Sequence, residues 1–335
     1  MPGANGGPVE PSNSIMNTVA DKENSLFQIC LVLSKRLLGV PGFKEYLQEE
    51  QQAADDDTDP VTLLWRVFRQ GLPLVYLYNT MMPGKPITTD FSKMSNETKR
   101  GKAATFKFLQ ACIDNLKFNV EDCFIIFDLY GDDTTGFVKV TKMVTRILDL
   151  MLAEGLIQDI RPDRVDAAGA GGKKSRREHI IDELVRTERT YVQHLELLQA
   201  FKQLCEKTNV IGGDVVHQIF LNLNGLLDFQ RRFLIRVEQI NALPEDEQDW
   251  GNLFVLYADA FKIYEPYISN QKLCEATVMR EFDKLKEAGG SSEMQQIVLS
   301  PPVLSSFLMK PFRRLTKYPL LLNVRKHISN LFYIC

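Results

Sequence analysis

The sequence is poor in the residues that chemistry on a substrate would need. Histidine occurs four times in 335 residues, and none is spaced with cysteine or carboxylate in a metal-ligating pattern. The six cysteines (Cys30, Cys112, Cys123, Cys205, Cys274 and Cys335) are scattered, with no CxxC. Reduced, buried thiols in a cytoplasmic protein are the expectation that follows. No GxxxxGK[ST] loop is present to cradle a phosphate. No apolar run approaches the ~20 residues that cross a bilayer. The opening "MPGANGGPVEPSNS" lacks the basic and apolar regions of a signal peptide. Nor is positive charge in excess. Lys and Arg total 40 against 43 Asp and Glu, a net charge of −3, which argues against electrostatic binding of nucleic acid.

What remains is an ordinary globular composition, 44% hydrophobic and 25% charged, in a chain long enough for two domains. Residues 1–22 are rich in Gly, Pro, Ser and Asn and read as disordered. "EEQQAADDDTD" (49–59) reads as an acidic loop, and 159–177, glycine-rich and charged, as an interdomain linker. The expected domains are 23–158 and 178–335. Both are all-α by pattern. "SLFQICLVLSKRLL" (25–38), 98–118 and 141–155 carry apolar residues at helical spacing. "DPVTLLWRVFRQG" (59–71) opens with Asp59 as a cap and Pro60 in the first turn, and closes at Gly71. "CFIIFDLY" (123–130) is ambiguous between a short strand and a buried helix. The second domain reads as long helices over 178–207, 213–239, 250–284 and 296–323, hence a helical bundle.

"SSFLMKPFRRLTKYPLLL" (305–322) combines two prolines, four cations and a heptad-like set of apolar residues. On a helical wheel stepped about 100° per residue from Leu308, Leu304, Pro311, Phe312, Leu315, Pro319 and Leu322 fall within about 60°. Phe307 and Tyr318 lie at the stripe's edge. Lys310, Arg313, Arg314 and Lys317 fall opposite, at about 140–240°. A solvated basic face is the commoner fate of such a cluster. Proline inside a helix would kink it, and neighbouring helices would have to hold the kink. In "HIIDELVRTERTYVQHLELLQAF" (179–201) the wheel makes Ile181, Leu184, Tyr191, Val192, Leu195 and Leu198 a buried stripe, with Glu183, Thr187, Thr190 and His194 on the far side. Glu188 lies inside the stripe. A carboxylate there needs a cation, and Arg314, at the border of its own apolar face, is the candidate partner. Glu183 stays open between a solvated side chain and a contact.

These segments carry a family resemblance. "IIDELVRTERTYVQHLELL" resembles the first conserved region of the Dbl-homology domain of Rho-family guanine nucleotide exchange factors, and "LSSFLMKPFRRLTKYPLLL" its third. "NLNGLLDFQRRFLIRVEQI" and "NLFVLYADAFKIYEPYISN" stand between them in the expected order, so the resemblance covers about 178–322. "DPVTLLWRVFRQGLPLVYLYN" and "KFLQACIDNLKFNVEDCFIIFDLY" resemble a calponin-homology domain. The order of the two domains is similar to that of fungal cell-division-control exchange factors.

The resemblance implies an all-α fold in which an elongated helical bundle follows a calponin-like domain. It also implies a function without covalent catalysis or a cofactor: stabilising the nucleotide-free state of a Rho-family small GTPase. Glu183 would accept hydrogen bonds from the GTPase switch I, and Lys317 would meet the switch region. Lys310 and Arg313 would belong to the same surface, although Arg313 stands where the family commonly has glutamine. Glu188 and Arg314 would be the structural pair. The family continues beyond the KYPLLL helix, whereas "NVRKHISNLFYIC" does not resemble that continuation. The bundle is therefore expected to be truncated, with an exposed apolar strip prone to aggregation. The implied location is cytoplasmic, recruited to the cortex at polarity sites. "GGKKSRR" (171–177) reads as solvated linker in preference to a nuclear-import patch, which leaves a nuclear pool open. The competing function is a non-catalytic adaptor or actin-binding protein acting through the calponin-like domain, with scaffold or polarity proteins as partners. A calcium loop at "DLYGDDTTGFVK" (128–139) is rejected, because Asp133 replaces the required glycine and Lys139 the terminal glutamate.

Overall fold

Caps and prolines explain where most helices begin. In the computed structural model the described residues are 22–55, 57–158 and 175–326, with only the backbone described for 22 and 321–326. Most of the expected disordered start, most of the linker and the end of the chain lie outside them. Among the described residues every regular element is a helix. Two units separate: Lys22–Lys173 with Gln230–Phe254, and Lys174–Phe229 with Val255–Cys335.

The first unit holds α1 (Leu26–Leu38), α2 (Lys44–Ala53), α3 (Pro60–Arg69), α4 (Leu72–Met81), α5 (Glu97–Leu116), α6 (Ile126–Tyr130) and α7 (Thr134–Ala153). Asp59 caps α3 by accepting from the Val61 and Thr62 amides, with Pro60 in the first turn. Gly71 ends the turn after α3 at φ 75°. A Cβ there would lie 2.2 Å from the Gly101 carbonyl oxygen, so α5 crosses at backbone distance. The ambiguous 123–130 segment contains α6, held by the Asp128 carboxylate accepting from the Ile125 amide at 2.8 Å. α7 starts seven residues before the expected 141, because Asp133 caps it through the Thr135 amide. Half of its residues are buried. Phe137, Val140, Val144, Ile147, Leu148 and Met151 are fully enclosed, and Phe137 stacks on Trp65 at 4.6 Å. The acidic stretch 49–59 is not a loop throughout, since α2 runs to Ala53.

This unit also takes in residues 230–254. Ile235 joins its hydrophobic core. Ser25 donates to the buried Glu238 carboxylate at 2.6 Å, and Arg231 donates to the Thr135 hydroxyl at 2.9 Å. Arg232 reaches the Asp132 carbonyl, and Gln239 reaches that of Asp57.

The second unit is built around α8 (Arg176–Thr208), which opens with a Ser175–Glu178 capping box. It is followed by α9 (Gly213–Phe220), α10 (Leu223–Ala242), α11 (Trp250–Leu256), α12 (Tyr264–Ser269), α13 (Gln271–Glu287), α14 (Ser292–Ile297), α15 (Pro301–Leu308) and α16 (Lys310–Lys326). α10 and α11 each run across the boundary between the two sets of residues. The expected long helices after α8 are thus broken. Leu221, at φ 50°, interrupts 213–239. Pro266, the Pro301–Pro302 pair and Pro311 each fall in the first turn of a new helix, where the missing amide is harmless. Pro311 therefore starts a helix instead of kinking one, and Pro319 is the proline inside α16. The five described cysteines are free and buried.

Candidate functional site

α16 packs against α8, and the contact is organised by charge. Glu188, fully buried, receives the guanidinium of Arg314: Nε donates to Oε2 at 2.9 Å, and Nη2 donates to the same oxygen. The Tyr318 hydroxyl, one turn beyond Arg314, donates to both carboxylate oxygens at 2.9 and 3.0 Å. Arg314 then extends to the preceding turn of α8. Nη1 donates to the Thr187 hydroxyl at 2.9 Å, and Nη2 lies 3.5 Å from the Leu184 carbonyl. The Tyr191 and Tyr264 hydroxyls share a hydrogen bond at 3.1 Å, and Phe261 packs edge-on against Tyr318.

Burial and neighbours fix the protonation states here. Burial, then the Glu188 charge, pushes the Tyr318 hydroxyl well above its ordinary value, so it remains a donor. Burial works against the Arg314 cation, but Glu188 and Tyr318 outweigh it and its pKa rises. The result is a buried cation and carboxylate joined by several hydrogen bonds, the condition under which such a pair is tolerated.

The wheel placed the α8 stripe correctly: Ile181, Leu184, Tyr191, Val192, Leu195 and Leu198 are all buried around Glu188. His194, expected on the far side, is buried and meets Phe307 edge-on at 5.4 Å. In 305–322 the phase shifts. Phe307, Pro311, Arg314 and Tyr318 face inward, while Phe312 and Pro319 are exposed. The reason is the break between α15 and α16, which a wheel phased on Leu308 does not carry across. At that break the Leu308 carbonyl accepts from the Tyr267 hydroxyl at 3.0 Å. The four cations are therefore not one face. Arg314 turns in, Arg313 and Lys317 are exposed, and Lys310 is half-buried with its ammonium 4.7 Å from the Phe307 ring centre. Burial first, then the cations of Arg313 and Lys317, lowers Lys310 to about 8. Glu183 is exposed on α8 next to Leu184, whose carbonyl Arg314 reaches.

The structure thus brings Glu188 and Arg314 together. It leaves Glu183, Arg313 and Lys317 outward on the same two helices. Sequence reasoning passed over Thr187 and Tyr318 as members of the cluster. The available signal was their spacing, since Tyr318 stands four residues after Arg314 and Thr187 precedes Glu188. In the first unit, the stretch rejected as a calcium loop holds an ion pair: the Lys139 ammonium lies 3.1 Å from the Asp128 carboxylate.

The chain matches two family profiles, one described as CDC24 Calponin over residues 59–148 and one as RhoGEF domain over 180–329. It is 33% identical over 275 residues to Cell division control protein 24 of Saccharomyces cerevisiae, covering 79% of this chain and 31% of that protein. Identity to the Rho guanine nucleotide exchange factor scd1 of Schizosaccharomyces pombe is 26% over 332 residues, covering 93% of this chain and 37% of that protein. The chain therefore spans about a third of the length of these relatives. The human Rho guanine nucleotide exchange factor TIAM2 is 30% identical over 162 residues, 43% of this chain and 9% of that protein. A solved structure of autoinhibited Vav1 aligns loosely, at a TM-score of 0.35 and 19% identity over 84% of this chain and 58% of that one. No helix among the described residues is long and apolar enough to cross a membrane. In family terms, this chain carries a CDC24-type calponin domain followed by a RhoGEF domain.

Proposed function

We propose that the α8–α16 surface binds a Rho-family GTPase and accelerates its nucleotide exchange by stabilising the nucleotide-free state. The observation that carries this reading is the division of charge across the two helices. Glu188 and Arg314 satisfy each other inside, while Glu183, Arg313 and Lys317 stay exposed on the same two helices, Arg313 with one nitrogen 3.3 Å from the Ser306 hydroxyl. An acid on one helix and cations on its neighbour suit a partner surface that offers both amide donors and acidic groups. Glu183 accepts from the GTPase switch I, and Lys317 meets the switch region. Arg313 and Lys310 extend the cationic side. No bond is made or broken by this chain. The rate gain comes from binding the empty GTPase more tightly than the loaded one, which shifts the population toward release. Nucleotide and Mg²⁺ belong to the GTPase. Recruitment to cortical polarity sites and scaffold contacts through the calponin-type domain are part of the same proposal, and rest on the resemblance of the domain order.

The test uses the full chain with a panel of Rho-family GTPases carrying fluorescent GDP. Release from at least one member should accelerate, and Glu183→Ala or Lys317→Ala should each lower that rate about a hundredfold, the scale of truncating a desolvated charged contact. Circular dichroism should stay unchanged, since both side chains are exposed. Unaccelerated release across the panel, together with co-sedimentation with filamentous actin, would favour the adaptor function instead.

A further inference from the structure

The Glu188 cluster does more than fill a buried space. Its hydrogen bonds do not run straight across the helix pair. They converge from one turn of α16 onto two successive turns of α8. Arg314 alone reaches Glu188, Thr187 and the Leu184 carbonyl. The Thr187 hydroxyl also donates to the Glu183 carbonyl at 2.7 Å. A continuous path of hydrogen bonds therefore links the backbone of Glu183 to Arg314, three residues before Lys317, and on through Glu188 to Tyr318, the next residue after it. Two guanidinium nitrogens of Arg314 converge on Glu188 Oε2, the Tyr318 hydroxyl meets both carboxylate oxygens, and together they restrict the relative slide and rotation of α8 and α16. A buried polar network whose members are all hydrogen-bonded rigidifies the contact it spans.

We propose that Tyr318, Thr187 and Arg314 are positioning residues for exchange: acting through Glu188 and the Glu183–Thr187 turn, they set the spacing at which Glu183 and Lys317 meet the GTPase. This rests on the functional reading above and adds residues that touch neither GTPase nor nucleotide. A contact made by two side chains on different helices is tight only when their separation is held to a fraction of an ångström. Loosening the register weakens the complex with empty GTPase even when the bundle stays folded.

The test is a double-mutant cycle on the dissociation constant of the full chain for nucleotide-free GTPase, prepared with EDTA from whichever panel member responds. Tyr318→Phe removes the hydroxyl and keeps the ring against Phe261. It should weaken binding about tenfold in the wild-type background. In a Glu183→Gln background the same change should weaken binding less than about twofold, because the contact it positions is already impaired. Thr187→Val, milder and half-exposed, should repeat the pattern should Tyr318→Phe prove poorly folded. A purely structural role predicts equal losses in both backgrounds, and that result would overturn the proposal. So would unaltered binding by both variants. If Glu183→Gln alone leaves binding and exchange intact, the functional reading itself fails, and the two failures are told apart.

Discussion

Two acid–base pairs in this molecule share their chemistry and differ in their surroundings. Arg314 and Glu188 have side chains 5% and 0% exposed, and Tyr318 and Thr187 complete their hydrogen bonding. Lys139 and Asp128 have side chains 50% and 10% exposed, and sit where α6 passes into α7. In the first pair, each charge has been taken out of water and depends on the other. In the second, water reaches the ammonium and shares the load. The lesson is that removing one partner measures different things in the two places. Inside, it measures the penalty of a stranded charge. Where one partner is half-solvated, as Lys139 is, it measures a partly screened attraction to a mostly buried carboxylate.

The largest expected effect is therefore Arg314→Ala. Leaving Glu188 buried without its cation should destabilise the bundle by about 3–5 kcal/mol, read by urea or thermal unfolding. The double replacement Glu188→Leu with Arg314→Met should recover most of that loss, because two apolar groups of similar volume leave no charge to compensate. A double variant as unstable as the single one would break the comparison. Lys139→Ala should cost about 1 kcal/mol or less, since half of that side chain is already solvated. A larger loss would show that the α6–α7 turn depends on the pair more than its exposure implies.

Lys310 sharpens the comparison from between the two extremes, half-buried beside two other cations. Its folded-state pKa, about 8, lies below the ordinary lysine value of 10.5. Between these pH values the unfolded chain binds more protons, so stability should rise with pH. Below pH 8 lysine is charged in both states, and the folded state carries the full penalty. Lys310→Met should thus melt slightly higher than wild type at pH 7, with the difference closing as pH climbs through 8 toward 10. The shift is the smallest of the set, because partial exposure screens it. A gap that widens over that window would show that the folded state holds the Lys310 proton more tightly than the unfolded chain does.

Much of this was legible in the chain because apolar period and capping residues are local signals. Asp59 and Pro60 announce α3, and the α8 stripe with Glu188 inside it follows from a period of 3.6. A carboxylate in such a stripe demands a cation, which pointed to Arg314. Helix breaks were illegible because apolar period persists across them. Nothing in "IFLNLN" signals that Leu221 turns to positive φ, and the wheel through Met309 kept a phase the backbone does not keep. His194 shows the same limit: the period assigned it to the outer face, yet its ring is buried and meets Phe307 edge-on. The early start of α7 was hidden because Gly136 lies inside the helix. It is needed there, since a Cβ would fall 2.5 Å from the Asp128 carbonyl oxygen.

Residues 230–254 have a consequence for anyone who wishes to divide the chain. The obvious scissors mark is the glycine-rich stretch before Ser175, and a fragment starting there keeps the whole segment matched to the RhoGEF profile. It also strips Glu238 of the Ser25 hydroxyl, Arg231 of the Thr135 hydroxyl and Ile235 of its apolar surroundings. The boundary drawn by sequence likeness and the boundary drawn by packing are different lines here, and a cut along the first runs through the second.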